Sequence, residues 1–188
     1  MKITLSQISN IYTGLFTKPL SEGEVVYLQS KHFDENGILK QSLQPDLKTD
    51  NIIEKHLLKD EDILFAAKGA KNFAALYENK NTPAVASTSF FVIRLQKEFR
   101  NKIIPGFLVW FMNQPDSQIF LKSRAIGTSM MSISKIALGE LEVLIPLVKT
   151  QKTILQIHKL HNKEKKLQLK ISMLREQQIQ QQIINSIK

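Results

Sequence analysis

Apolar positions in residues 1–148 come in short runs separated by Gly, Pro, Asn and charged side chains, the pattern of a body that mixes brief strands and helices. Leu5, Ile8 and Ile11 recur at three-residue spacing behind Thr4, a capping residue type, and predict a short helix ended by Gly14. Residues 25–28, 63–67, 73–77 and 89–95 are β-branched or aromatic runs between polar punctuation and read as strands. Pro105 suits the first turn of a helix through Met112, and Pro115 that of another through Lys122. Residues 141–145 are again strand-like and stop before Pro146.

After Pro146 neither proline nor glycine occurs for 42 residues, and Lys, Gln, Leu and Ile dominate. Ile157, Leu160, Leu167, Ile171 and Leu174 keep a three-or-four spacing, with polar Glu164 where one apolar position is due. Ile179, Ile183 and Ile187 continue the stripe after a phase shift of about one residue. A helix over residues 150–188 would be about 58 Å long. Its narrow stripe suits a coiled-coil seam better than a globular face, and such a seam needs a partner helix. The phase shift and Gln178 argue against a long, regular parallel zipper. The expected organisation is α+β: a mixed body over residues 1–148, then a long helix over 149–188.

Composition narrows the classes. A chain of 188 residues, 43% hydrophobic and 23% charged, is long enough for one folded domain with an appendage. The absence of cysteine excludes disulfides, thiolate metal sites and thiol nucleophiles. Residues 1–16 lack the apolar core of a secretory leader, and no run is long enough to span a bilayer, so a cytoplasmic protein without membrane association is expected. Lys and Arg number 26 against 17 Asp and Glu, a net +9 that points to a polyanionic partner. The charge is uneven. Residues 149–188 hold nine basic and two acidic side chains, and residues 79–135 hold eight basic and two acidic.

Most catalytic patterns are missing. Neither a Gly-x-Gly-x-x-Gly loop nor a P-loop occurs. Asn113-Gln114-Pro115 is not the tetrapeptide with which amino-methyltransferases hold a flipped base, so the chain is not expected to methylate DNA itself. His158 and His161 stand three apart with Glu164 nearby, but a metal site needs a further ligand, and polar positions beside a helix interface are the reading adopted. Asp46, Glu78 and Lys80 can be assembled into a Mg²⁺-dependent endonuclease pattern, a degenerate one kept as an alternative. A coiled-coil adaptor that binds no DNA is the other alternative.

Binding chemistry is better represented. Lys68, Lys71 and Asn72 cluster around Gly69, Ser87 and Thr88 precede Ser89, and Arg124, Thr128 and Ser129 flank Gly127. Lys and Arg meet phosphates or guanine, and Ser, Thr and Asn reach base edges or phosphate oxygens. These eight residues are the candidate DNA contacts.

The order of segments carries more than any one of them. Leu5, Ile8, Ile11 and Gly14 open the chain, Asp62-Ile63-Leu64 with Gly69 follows, and residues 89–94 come next. Pro105 with Phe107 and Leu108 precedes Gly127-Thr128 and Ile133; Ile145-Pro146, Gln151 and Ile154 then lead into the long helix. This sequence resembles one repeat of a type I restriction–modification DNA specificity (S) subunit, a target recognition domain followed by its helical conserved region. The resemblance implies a non-catalytic reader of double-stranded DNA that recognises a half-site. It also implies an antiparallel coiled coil that acts as a ruler and docks DNA adenine methyltransferase (M) subunits, which restriction (R) subunits join. No cofactor is then expected on this chain; S-adenosylmethionine, ATP and Mg belong to the partner subunits.

Three departures accompany the resemblance. The family has two recognition domains and two helical regions where this chain has one of each. Gln7 stands where an acidic residue is common, and Leu147-Val148 follows Pro146 where a further proline often appears. A single unit acts either as part of a longer subunit or as half of a dimer. The expectation adopted is a homodimer through residues 150–188, with Ile157, Leu160, Leu167, Ile171, Leu174, Ile179 and Ile183 in the seam. Its target would be an inverted repeat with an unread spacer.

Overall fold

The computed structural model describes residues 2–34, 37–40, 43–49, 52–69, 71–78, 82–127 and 131–187. Two compact units emerge, residues 1–148 and 149–188. The first mixes strands and helices, and the second is helical, so the α+β class expected from the sequence is correct.

In the first unit, strands β1 (Lys2–Thr4), β2 (Ser9–Thr13), β3 (Val26–Leu28), β4 (Ile63–Ala66), β5 (Ala74–Leu76), β6 (Ala84–Ala86), β7 (Phe90–Leu95) and β8 (Glu142–Leu144) alternate with helices. Those helices are α1 (Leu5–Ile8), α2 (Pro105–Met112), α3 (Pro115–Ser123) and α4 (Lys135–Gly139). Among the described residues the central sheet runs β2-β7-β4-β5, all antiparallel, with Ile11 opposite Ile93 and Phe65 opposite Phe91. β1 pairs with β8 antiparallel, and β3 with β6 in parallel.

β4 shows why the sheet is central. Its four residues are all buried, because successive side chains point to opposite faces and both faces are covered. Ile63 and Phe65 join Ile8, Leu108, Met112, Leu121 and Leu138 in the larger core. Leu64 and Ala66 face Leu28, Phe33, Phe73 and Phe90 in the second core. There the rings of Phe33, Phe73 and Phe90 meet at centroid separations of 5.5 to 6.0 Å. Burial of a side chain such as Phe65 stabilises the fold by about 2 kcal/mol.

The edge of β5 is closed by a side chain. The Asn113 amide donates to the Ala74 carbonyl and accepts from the Ala74 N–H, both at 2.8 Å, imitating a neighbouring strand. That bond pair ties the end of α2 to the sheet.

The first helix is shorter than the spacing predicts. It ends at Ile8, and Ile11 lies in β2, because pairing with β7 buries Ile11 against Ile93. At its start the Thr4 N–H and hydroxyl both donate to Gln7 Oε1, at 3.0 and 2.9 Å, so an amide serves where a carboxylate was expected. Very short elements had no signal: β6 is Ala-Val-Ala, and the five-residue α4 is capped by Ser134, whose Oγ accepts from the Ala137 N–H at 3.0 Å. α2 follows the proline-based expectation to the residue.

The second unit is the helix α5 (Val148–Ile187). Ile157, Leu160, Leu167, Ile171, Leu174, Ile179 and Ile183 are 49–62% exposed along it. A lone helix cannot cover its own stripe. Among the described residues no helix is long and apolar enough to cross a membrane.

Candidate nucleic-acid interface

Antiparallel pairing of β4 with β7 brings the three nominated loops to one end of the central sheet. Where β4 ends, the Ala67 N–H donates to the Ser89 carbonyl at 3.0 Å, and the Ala67 carbonyl accepts from Ile133 N–H at 2.9 Å. Lys68 then bridges Ser132, Gly69 N–H reaches the Met131 carbonyl at 3.4 Å, and Ser132 exchanges two 2.9 Å bonds with Ile126. The loops around residues 68–72, 87–89 and 124–127 are therefore neighbours, though up to 59 positions separate them in sequence. Gly69 and Gly127 have φ of 110° and 120°, backbone that side chains with a Cβ rarely adopt.

Gly14 adds a fourth segment. Its N–H donates to the Phe90 carbonyl at 3.2 Å, and Leu15 N–H donates to the Ala86 carbonyl at 2.7 Å. A Cβ at Gly14 would lie 2.0 Å from the Ser87 carbonyl oxygen. The residue is thus required by close backbone approach rather than as a helix stop.

The nominated side chains divide by role. Lys68 and Lys71 are exposed. The Arg124 guanidinium carbon lies over the Phe120 ring, 3.8 Å from its centroid, with Nε 3.4 Å from Glu140 Oε2, so the group is held in place at the surface. Thr88 is half-buried. Ser87 is 5% exposed, with its hydroxyl 2.6 Å from that of Ser89, and shapes the turn from inside. Asn72 donates to the Ala66 carbonyl at 2.9 Å, the bond of a turn residue. Thr128 and Ser129 lie outside the described residues.

Alongside, the Ser30 N–H donates to Ser89 Oγ at 3.4 Å, bringing residues 29–32 to the same end. Burial, reinforced by the charge of Lys31, holds the His32 imidazole below its ordinary pKa. That neutral ring accepts the Gln29 N–H on Nδ1 at 3.3 Å.

The other end of the sheet is internally neutralised. Asp62 and Arg94 form a two-point ion pair there, in a cleft of about 50 Å³ shared with Lys59, Asp60 and Arg100. Sequence reasoning did not single this pair out; its signal was a lone arginine inside the apolar run of β7.

The nuclease residues do not form a centre that the described residues reveal. Asp46 Oδ1 accepts the Tyr27 N–H at 2.8 Å and fastens a loop, Glu78 is exposed, and Lys80 lies outside the described residues. On α5, His158 bonds Asn162 at 2.9 Å, and His161 lies 3.6 Å from Glu164. Among the described residues no cluster of three or more His, Asp or Glu could hold a metal ion.

A mixed body whose basic loops gather at one sheet end, followed by one long helix, defines a recognisable architecture. No family model and no curated protein matches the sequence. Solved structures do match the fold. The type I restriction–modification S subunit from M. genitalium aligns with TM-score 0.60 at 17% identity, over 87% of this chain and 39% of that one. The HsdS subunit from Thermoanaerobacter tengcongensis aligns with TM-score 0.59 at 10% identity, over 87% and 37%. A chain from a structural study of the complex assembly and conformational transition of the type I R-M system aligns with TM-score 0.64 at 9% identity, over 87% and 38%. The chain thus has the fold of a type I S subunit and spans less than two fifths of those chains' length.

Proposed function

We propose that this chain is a DNA-reading unit of a type I restriction–modification specificity subunit, without catalytic activity of its own. The observation that carries the reading is the convergence of Lys68, Lys71, Thr88 and Arg124 at one sheet end of an S-subunit fold. Lys and Arg would supply a salt-dependent, sequence-blind attraction to the duplex, and polar loop side chains would choose the sequence. M subunits that bind S-adenosylmethionine would methylate adenine, and R subunits using ATP and Mg would join them. On this reading the chain would work in the cytoplasm.

The half-exposed seam of α5 supports pairing with a second helix, antiparallel as in a spacer of fixed length. In a homodimer two identical readers related by a twofold axis would recognise an inverted repeat of half-sites. A non-palindromic target in cells lacking any second specificity chain would rule out the homodimer. The function itself is tested by mapping adenine methylation across the source genome with and without this gene. Loss of one bipartite motif is the expected result, and an unchanged methylation map would overturn the proposal.

A further inference from the structure

The segment leaving Gly14 is anchored as the loops above are. Its backbone is fastened on both sides. Leu15 N–H donates to the Ala86 carbonyl at 2.7 Å, the Leu15 carbonyl accepts from the Tyr27 hydroxyl at 2.9 Å, and Leu20 N–H donates to the Asp46 carbonyl at 2.7 Å. Between these anchors Phe16 is 80% exposed. A single exposed apolar side chain is ordinary on a protein surface. This one, however, lines a concavity of about 310 Å³ with Leu20 and Ile52, and among the described residues the same concavity carries Lys18 and Lys48 and no acidic side chain. Glu24, the carboxylate that feels the Lys48 charge, is engaged by the hydroxyl and N–H of Thr49, at 2.7 and 3.0 Å.

Position matters as much as composition. Leu15 bridges Ser87, so Phe16 follows directly on the contact that joins this segment to the Ser87–Thr88 turn. We propose that the concavity is a second contact surface for duplex DNA, with Phe16 packing on base edges in a groove and Lys18 and Lys48 neutralising the flanking phosphates. The proposal rests on the DNA-reading function above and adds to it a sequence-determining residue that is apolar. Three features favour duplex DNA over a protein partner. The apolar area is small and flanked by Lys18 and Lys48, it continues the basic loop cluster, and the anchors at Leu15 and Leu20 reduce the cost of ordering the segment that carries the ring. A phenylalanine contributes sequence choice through apolar contact with base edges such as the thymine methyl.

The test uses the full chain and two labelled probes, a random-sequence duplex and duplexes enriched by the wild-type chain from a randomised pool. Phe16→Ala is expected to weaken binding to the enriched duplexes about tenfold while binding to random duplex stays within about twofold, and Phe16→Leu to keep most of the preference. Lys18→Ala with Lys48→Ala is expected to weaken both and to lower the log–log salt slope by about two. Unchanged thermal unfolding of these variants confirms that the fold is intact. If Lys68→Ala weakens binding but the Phe16 and Lys18/Lys48 variants bind and choose sequences as wild type does, this inference falls and the DNA-reading function stands. If the wild-type chain binds no duplex at low salt, both fall.

Discussion

Arg94 grips Asp62 at two points, Nε donating to Oδ1 at 2.7 Å and Nη2 to Oδ2 at 2.6 Å. The Asp62 side chain is 1% exposed and that of Arg94 17%. Arg94 Nη2 also donates to the Leu57 carbonyl at 3.2 Å, and the Lys59 N–H donates to Asp62 Oδ2 at 2.8 Å. The hydrogen bonds to Asp62 hold the guanidinium pKa above its ordinary value against the opposing effect of burial. This pair lets β7 carry a charge through an otherwise apolar strand.

Removing one partner of such a pair leaves a buried charge unmatched. Asp62→Ala or Arg94→Met should each cost about 3–5 kcal/mol in urea unfolding. The double variant Asp62→Leu with Arg94→Met should cost less than the sum of its singles. Strict additivity would show that the two side chains are not energetically coupled.

Gly14 and Gly69 should respond differently to the same methyl group. At Gly14 the added Cβ meets a backbone oxygen at 2.0 Å, which no side-chain rotation relieves, so Gly14→Ala should destabilise by at least about 3 kcal/mol. At Gly69 nothing lies within 4 Å, and only the φ of 110° opposes substitution, so Gly69→Ala should cost about 1–2 kcal/mol. Equal melting temperatures for the two variants would contradict this ordering.

Lys68 is exposed, whereas Arg124 is held by Phe120 and Glu140. Lys68→Ala should weaken binding to every duplex alike and reduce the log–log salt slope by about one. Arg124→Lys keeps the charge but gives up the planar group that stacks on Phe120, and should weaken binding by several-fold with little change of slope. Fluorescence anisotropy across a salt series reads both outcomes.

The seam prediction separates assembly from folding. Leu167→Lys with Leu174→Lys places charges in the stripe of α5 and should shift sedimentation from dimer to monomer. The unfolding transition of residues 1–148, a compact unit in its own right, should be preserved. A wild-type chain that sediments as a monomer at every concentration would remove the homodimer from the proposal.

Glu24 offers a local test by pH. The hydroxyl and N–H of Thr49 hold its carboxyl below the usual carboxylate range, aided by Lys48. A depressed folded-state value means that the contribution is present above the unfolded pKa and is lost as pH falls through the folded one. Thr49→Val should therefore raise the Glu24 titration midpoint, followed by carboxyl NMR shifts. An unmoved midpoint would show that Thr49 is not the cause.

The sequence by itself determined the elements whose cause is local. Proline at the first helical position set α2, and the Pro- and Gly-free stretch after Pro146 set α5. The apolar run of β4 read as a strand because a sheet covered on both faces needs no alternation. The family resemblance also came from the order of short segments and anticipated the fold that the solved S subunits share. Local spacing failed where pairing prevailed: Ile11 has helical spacing from Ile8, yet lies in β2 because Ile93 stands opposite it.

Tertiary structure alone decided which polar residues face outward. Ser87 was a candidate surface contact and is buried with its hydroxyl against that of Ser89, Asn72 bonds the Ala66 carbonyl as a turn residue does, and Phe16 is exposed. Asp62 and Arg94 lie 32 residues apart, and the lone arginine in the apolar run of β7 did not say which carboxylate it meets. Such outcomes depend on which backbone groups arrive nearby and still need a partner, and that is settled only when β4 and β7 pair and gather the distant loops at one end.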